Sequence, residues 1–247
     1  NCNIFNPNRL STGEDLGDQL NANSKDDEVV DQIINLCSVD DAHGVLITSV
    51  GNKNKNIPRK SAIEFGWIIG LPENTSTETY VHTKLVPDSS GVRGEAGNEG
   101  QNIFHRPANH GIYAFICSID VYKIGFNEIS YKYVIDENEN DNDNRKMRYK
   151  AILQSLINSF LDPNGAMTST QLPHITNLEG VVAVSENTTP APTISPLNPN
   201  YQEEILSIKE NLNNIEGINI SVNNFKGVNG LVSELTELIK AEPYKIE

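Results

Sequence analysis

Positive charge is scarce in this 247-residue chain: 19 Lys and Arg stand against 33 Asp and Glu, for a formal net charge of −14 at pH 7. Taken over the whole molecule, that balance disfavours nucleic acid, because phosphates demand Lys and Arg. Cysteine is nearly absent. Cys2, Cys37 and Cys117 are odd in number, far apart and never in C-x-x-C spacing. They argue against a disulfide framework or a zinc site and favour a reducing cytoplasm. No apolar run reaches the length of a membrane span, and no basic-then-apolar secretion signal is present. There is no G-x-S-x-G elbow, no G-x-x-x-x-G-K-[ST] phosphate loop and no H-x-H or H-E-x-x-H pattern, and His105 and His110, five apart, are separated by a proline that breaks helical register, so nothing forces catalysis or a cofactor. The N-x-S/T triplets at Asn74, Asn187 and Asn219 are what an Asn-, Ser- and Thr-rich chain produces by chance. The chain opens on Asn1 rather than Met, so further N-terminal sequence is expected ahead of it.

What is present suits a folded α+β protein: 37% hydrophobic and 21% charged residues can build one large core. A single domain over 1–247 with sizeable insertions is expected. Residues 1–40 read as a polar and helical insertion, with a helix from Lys25 capped by Ser24 and Val29, Val30, Ile33, Ile34 and Cys37 on one face. `GVLITSV` (44–50) reads as a strand, `GNKNKNIPRKS` (51–61) as a basic loop, and `AIEFGWIIG` (62–70) as a strand buried on both faces. Residues 80–111 read as a long hairpin insertion with a Gly-rich tip, and `IYAFICSIDVYKIG` (112–125) carries the strongest strand signal. The clearest helix is 145–161, striped by Tyr149, Ile152, Leu153, Leu156, Ile157 and Phe160. A strand at 178–185 follows. Residues 188–247 are expected to supply a Pro-rich extended segment, helices at 201–214 and 230–240, and a short strand at 217–223.

The charge is uneven. Residues 136–144 carry five acids and no base, whereas 42–63 hold no acid at all but contain Lys53, Lys55, Arg59 and Lys60. A local field of that kind can meet a phosphate backbone despite the acidic total. Arg145, Lys146, Arg148 and Lys150 form a second cluster, but beside the acidic run and at a helix N-terminus, where cations are unfavourable. `VDDAHG` (39–44) offers a rival: Asp40, Asp41 and His43 as the cation site of a metal-dependent RNA endonuclease. A bland polar turn is the simpler account of it. The stretch `DPNGAMTSTQLPHI` (162–175) follows the clearest helix and sets Gly165 and Ala166 ahead of hydroxyls at Thr168, Ser169 and Thr170. Small residues there let a polymer backbone pass close.

Three blocks in order, `PRKSAIEFGWIIG`, `NIFHRPANHGIYAFICSIDVYKIG` and `RYKAILQSLINSFLDPNGAMTSTQLPHI`, resemble the DevR-type CRISPR-associated family over roughly residues 40–200. These are the repeated backbone subunits of type I Cascade complexes, I-A and I-B in particular. The resemblance implies a modified RNA-recognition-motif (ferredoxin-like) palm with an inserted thumb hairpin. It implies a non-catalytic subunit that binds CRISPR RNA without regard to sequence and stacks with neighbouring copies of itself in a helical filament. Target DNA would pair with the guide. The large, small, cap and processing subunits would be neighbours. By position, Arg59, Lys60 and Ser61 would meet guide phosphates, with Lys53 and Lys55 beside them. The thumb would bring His82, Lys84, Arg93, His105 and Arg106. Gly165, Ala166, Met167, Thr168, Ser169 and Thr170 would form the loop against the RNA backbone. Relatives often carry Lys or Arg inside that loop, and this chain does not. The family's first strand, with its Asn- and Glu-bearing motif, is not recognisable.

Overall fold

Apolar periodicity decides where the helices bury their faces. The computed structural model describes residues 19–21, 23–50, 53–85, 101–135, 144–163 and 173–246. Helix α1 (Asp26–Leu36) buries Val29, Val30, Ile33 and Ile34, the face its spacing predicts. Its N-cap is Lys25 rather than Ser24: the Lys25 N–H donates to the Glu28 carboxylate at 2.9 Å, while the Ser24 hydroxyl accepts from Gln32. A short α2 (Ser38–His43) leads into β1 (Val45–Val50), and α1 packs on β1 to form one core cluster with Ile47, Val50, Ile57 and Ile135.

The basic segment expected as a loop is a strand, β2 (Lys53–Arg59), paired antiparallel with β1 from Val45↔Arg59 to Val50↔Lys53. Alternation explains it. Ile57 and Arg59 point inward while Asn56 and Pro58 face out, and a proline without an N–H is tolerated at such an outer strand.

The segment 62–70 departs further from expectation. Only β3 (Ile63–Phe65) is a strand there, paired with β6 (Cys117–Ile119), and Phe65, Trp67 and Ile68 are exposed rather than buried. The run 112–125 is likewise broken. Strand β5 (Gln101–Ala114) stops before Phe115, β6 follows, and Val121–Lys123 form a 3-10 turn. A small hairpin, β7 (Phe126–Asn127) with β8 (Lys132–Tyr133), completes this stretch.

Helix α3 (Arg145–Leu161) starts where expected, capped by the Asn144 side chain accepting from Met147 N–H at 2.9 Å, a cap worth about 1 kcal/mol. It packs with α5 (Gly227–Lys240) in the second core cluster, around Tyr149, Ile152, Leu153, Leu231 and Leu235. Strand β9 (Glu179–Ser185) pairs antiparallel with β10 (Ile220–Lys226), and α4 (Tyr201–Asn213) lies between them in sequence.

The described strands pair two by two, in five two-stranded sheets. Where one domain is expected, the chain falls into two compact units. One comprises Asn1–Phe65, Cys117–Ile194 and Asn198–Glu247; the other is Gly66–Ile116 with Ser195–Leu197. The second is built on β4 (Ile69–Leu85) and β5, so the hairpin expected at 80–111 is longer on both strands. Although the cysteine count and spacing argue against a disulfide framework, Cys37 is disulfide-bonded. Cys117 is free and half-buried, and burial pushes its thiol up to about 11.

Candidate nucleic-acid interface

In the larger unit, four elements meet on one buried carboxylate. Asp41, fully buried on α2, accepts from Arg59 Nη2 of β2, from Arg148 Nη1 of α3 at 2.8 Å, and from the Gly125 N–H at 3.1 Å. Arg59 also donates to the carbonyls of Phe126 at 2.8 Å and Lys123 at 3.0 Å, and Arg148 to that of Ile34 at 2.8 Å. Two buried guanidiniums and one carboxylate hold each other, and removing any one strands the charges that remain.

One expectation is corrected here, and the rival cation site loses a ligand. Arg59 does not present itself to phosphate: its side chain is 1% exposed, because strand alternation turns it the same way as Ile57 and into Asp41. Asp41 is not a metal ligand, since both carboxylate oxygens are occupied by arginine and backbone donors. Asp40 is buried too, while His43 is exposed, and the described residues contain no group of three or more His, Cys, Asp or Glu able to hold a metal. The second cationic cluster also turns inward. Arg145 is buried, donating to the carbonyls of Ile124, Val121, Pro243 and Tyr244, and Lys146 pairs with Glu242.

The remaining basic residues differ in freedom. Lys55 pairs with Asp26 at 2.7 Å, and Lys53 donates to the Asn23 side chain at 2.9 Å, tying both to the start of α1. Lys60 is exposed and makes no ion pair or hydrogen bond with a described residue. Ser61 is half-buried, its hydroxyl bonding Ala42 O, Ile63 O and Ile63 N–H, so it is committed to its own turn and not offered to a phosphate.

In the smaller unit, register decides which side chains share a face. Tyr80 lies opposite Arg106 and His82 opposite Phe104, so these four project from one face of the β4–β5 ribbon, with Glu78 and His110 further along it. His105 lies opposite Val81, and together with Thr79, Thr83, Ile103 and Pro107 it occupies the other face. The two expected thumb histidines therefore point in opposite directions. The first face mixes exposed rings with a cation; the second carries no acidic or always-charged side chain between residues 77 and 83 or opposite them. A hydrogen bond from the Tyr80 hydroxyl to Glu78 at 2.7 Å, with that carboxylate's charge, holds the phenol above its ordinary value.

Tyr80 and Phe104 were not singled out by sequence reasoning; their alternation with His82 and Arg106 becomes visible only once the register is fixed. Gly44 was missed as well, although a glycine immediately before a strand is a signal for a close backbone approach. Arg93 and the loop Gly165, Ala166, Met167, Thr168, Ser169 and Thr170 lie outside the described residues. Of Lys84 only the backbone pairing, with Asn102, is described.

A family model described as CRISPR-associated negative auto-regulator DevR/Csa2 matches residues 1–206. No curated protein matches the chain.

Proposed function

The chain belongs to the DevR/Csa2 family of CRISPR-associated proteins, and from that premise we propose that it is a non-catalytic scaffold binding CRISPR RNA within a type I Cascade complex. The observation that carries this reading is the β4–β5 ribbon face holding Tyr80, His82, Phe104 and Arg106. Exposed rings offer stacking surfaces to any base, and a guanidinium beside them offers a bidentate partner to phosphate. Neither contact reads sequence, which suits a subunit that must accept every guide. Lys60 in the larger unit adds a second phosphate contact.

The larger unit is proposed to be the modified RNA-recognition-motif palm and the ribbon its thumb. Partners in this reading are CRISPR RNA, target DNA through the guide, neighbouring copies of the chain and the other Cascade subunits, all in the cytoplasm. Among the described residues no helix is long and apolar enough to cross a membrane. The enzyme alternative loses its support with Asp41, whose carboxylate is committed to Arg59 and Arg148.

The test is RNA binding as a function of salt. Wild-type protein should carry RNA through purification, and Arg106→Ala or Lys60→Ala should each reduce the slope of log affinity against log salt by roughly 0.7. Binding with unchanged slopes in both variants refutes the assignment of these residues. Metal-dependent cleavage of the bound RNA refutes the scaffold.

A further inference from the structure

Three successive residues at the end of β2 have three different fates. Arg59 is buried on Asp41, Lys60 is exposed, and the Ser61 hydroxyl closes a turn on its neighbours. The turn is held from below by the α2–β1 junction. Ala62 N–H donates to Ala42 O at 2.9 Å, and the Ser61 hydroxyl lies 3.3 Å from the same carbonyl. Gly44, at φ +73°, comes so close that an added Cβ would sit 2.5 Å from Arg59 O, 2.6 Å from Ser61 N and 2.9 Å from the Lys60 carbonyl carbon. No side chain fits between these two backbones. Lys60 is thus fixed from both sides of its Cα, by Arg59 in the core and by Ser61 in the turn.

A lysine ammonium on a four-carbon stem is ordinarily a loosely held point charge. Here its root is not loose. We propose that Ser61, backed by Gly44, is a positioning residue that aims the Lys60 ammonium at a nucleic-acid phosphate and touches no phosphate itself. This rests on the nucleic-acid reading above and assigns Ser61 a different role from direct contact. The chemistry is simple: a hydroxyl with one proton, already spent on a carbonyl and accepting the Ile63 N–H at 3.0 Å, has little left for a ligand.

The experiment is a double-mutant cycle on single-stranded RNA, with Kd measured across a salt series for wild type, Ser61→Ala, Lys60→Ala and the pair. Ser61→Ala removes no charge. If it releases Lys60, the salt slope nevertheless falls, by up to the roughly 0.7 that Lys60→Ala removes, and the double variant binds no more weakly than Lys60→Ala alone. Ser61→Thr, which keeps the hydroxyl, should restore the wild-type slope. A Ser61→Ala loss that leaves the slope intact and adds to that of Lys60→Ala would make Ser61 a direct ligand and overturn the inference. No effect of Ser61→Ala overturns it too. Thermal melting of each variant identifies any that has unfolded, in which case Ser61→Cys, close in size but only a weak hydrogen-bond donor, takes the place of Ser61→Ala, with the same slope expected to fall. Failure of wild-type protein to bind RNA at all is a separate outcome, which removes the functional reading and this inference with it.

Discussion

Arg59 and Lys60 are neighbours of like charge, yet one holds the core and the other faces solvent. The difference is parity: in a strand, successive side chains point to opposite faces, and β2 turns its odd-numbered positions inward at Ile57 and Arg59. Asp41 is then the residue on which this part of the molecule depends. Asp41→Asn keeps the shape but leaves two buried guanidiniums sharing no carboxylate, and should cost about 3–5 kcal/mol of stability, read as a lowered urea midpoint. Were Asp41 a cation ligand instead, neutralising it would leave stability unchanged or raise it. The sequence displays these charges without their direction. `NKNKNIPRKS` looks like a solvated loop because Lys and Asn dominate it, and only the pairing with β1 shows that Ile57 and Arg59 are withdrawn. The same blindness hid Arg145 and Arg148, whose stems lie on the apolar side of α3 and whose heads find carbonyls and Asp41 there.

Among the elements, helices were the most legible, since a 3.6-residue apolar stripe has few alternative explanations. The helix expected at 145–161 is observed as Arg145–Leu161, and those expected at 201–214 and 230–240 as Tyr201–Asn213 and Gly227–Lys240. Strands were less so. The apolar run 62–70 signals a buried strand from composition, but burial needs a second layer, and none of the described elements covers Trp67 or Ile68. The β4–β5 ribbon was anticipated in kind, with its extent and faces decided by a register shift between Gly70 and Thr75. Gly111 sits opposite that irregularity at φ +139°, where a Cβ would fall 2.0 Å from Asn74 O. Gly111→Ala must therefore push the two strands apart. Strain of roughly 1–3 kcal/mol is expected, lowering amide protection in the adjoining β4 and β5 pairs by about 5-fold to 150-fold in hydrogen exchange while the helices of the larger unit keep theirs.

At the scale of the whole molecule, an acidic chain with a formal charge of −14 has to bind through local chemistry, and it also exposes apolar residues from segments that hold no charge of their own. In the smaller unit, Trp67, Ile68, Ile69, Ile112 and Tyr113 are exposed, and neither 66–72 nor 111–116 contains a charged residue. Exposed apolar surface of this kind is suited to burial against a partner. If neighbouring copies cover it, the chain's single tryptophan reports the event: Trp67, 89% exposed, should emit like a solvated indole in the free subunit and shift to the blue on assembly. Quenching without a blue shift would instead point to a base stacked on the ring. Composition could not foresee this surface, because apolar residues announce burial without saying in what.

The ribbon that carries the proposed RNA face is two strands wide and one backbone thick. Such a sheet has no interior, so the aromatic face of Tyr80 and Phe104 and the Val81 and Ile103 face are separated only by the peptide layer they share. A partner that orders one side reduces the freedom left to the other, and linkage requires the benefit to run equally in both directions. Ordering of a strand on one face would then be felt on the opposite face as well.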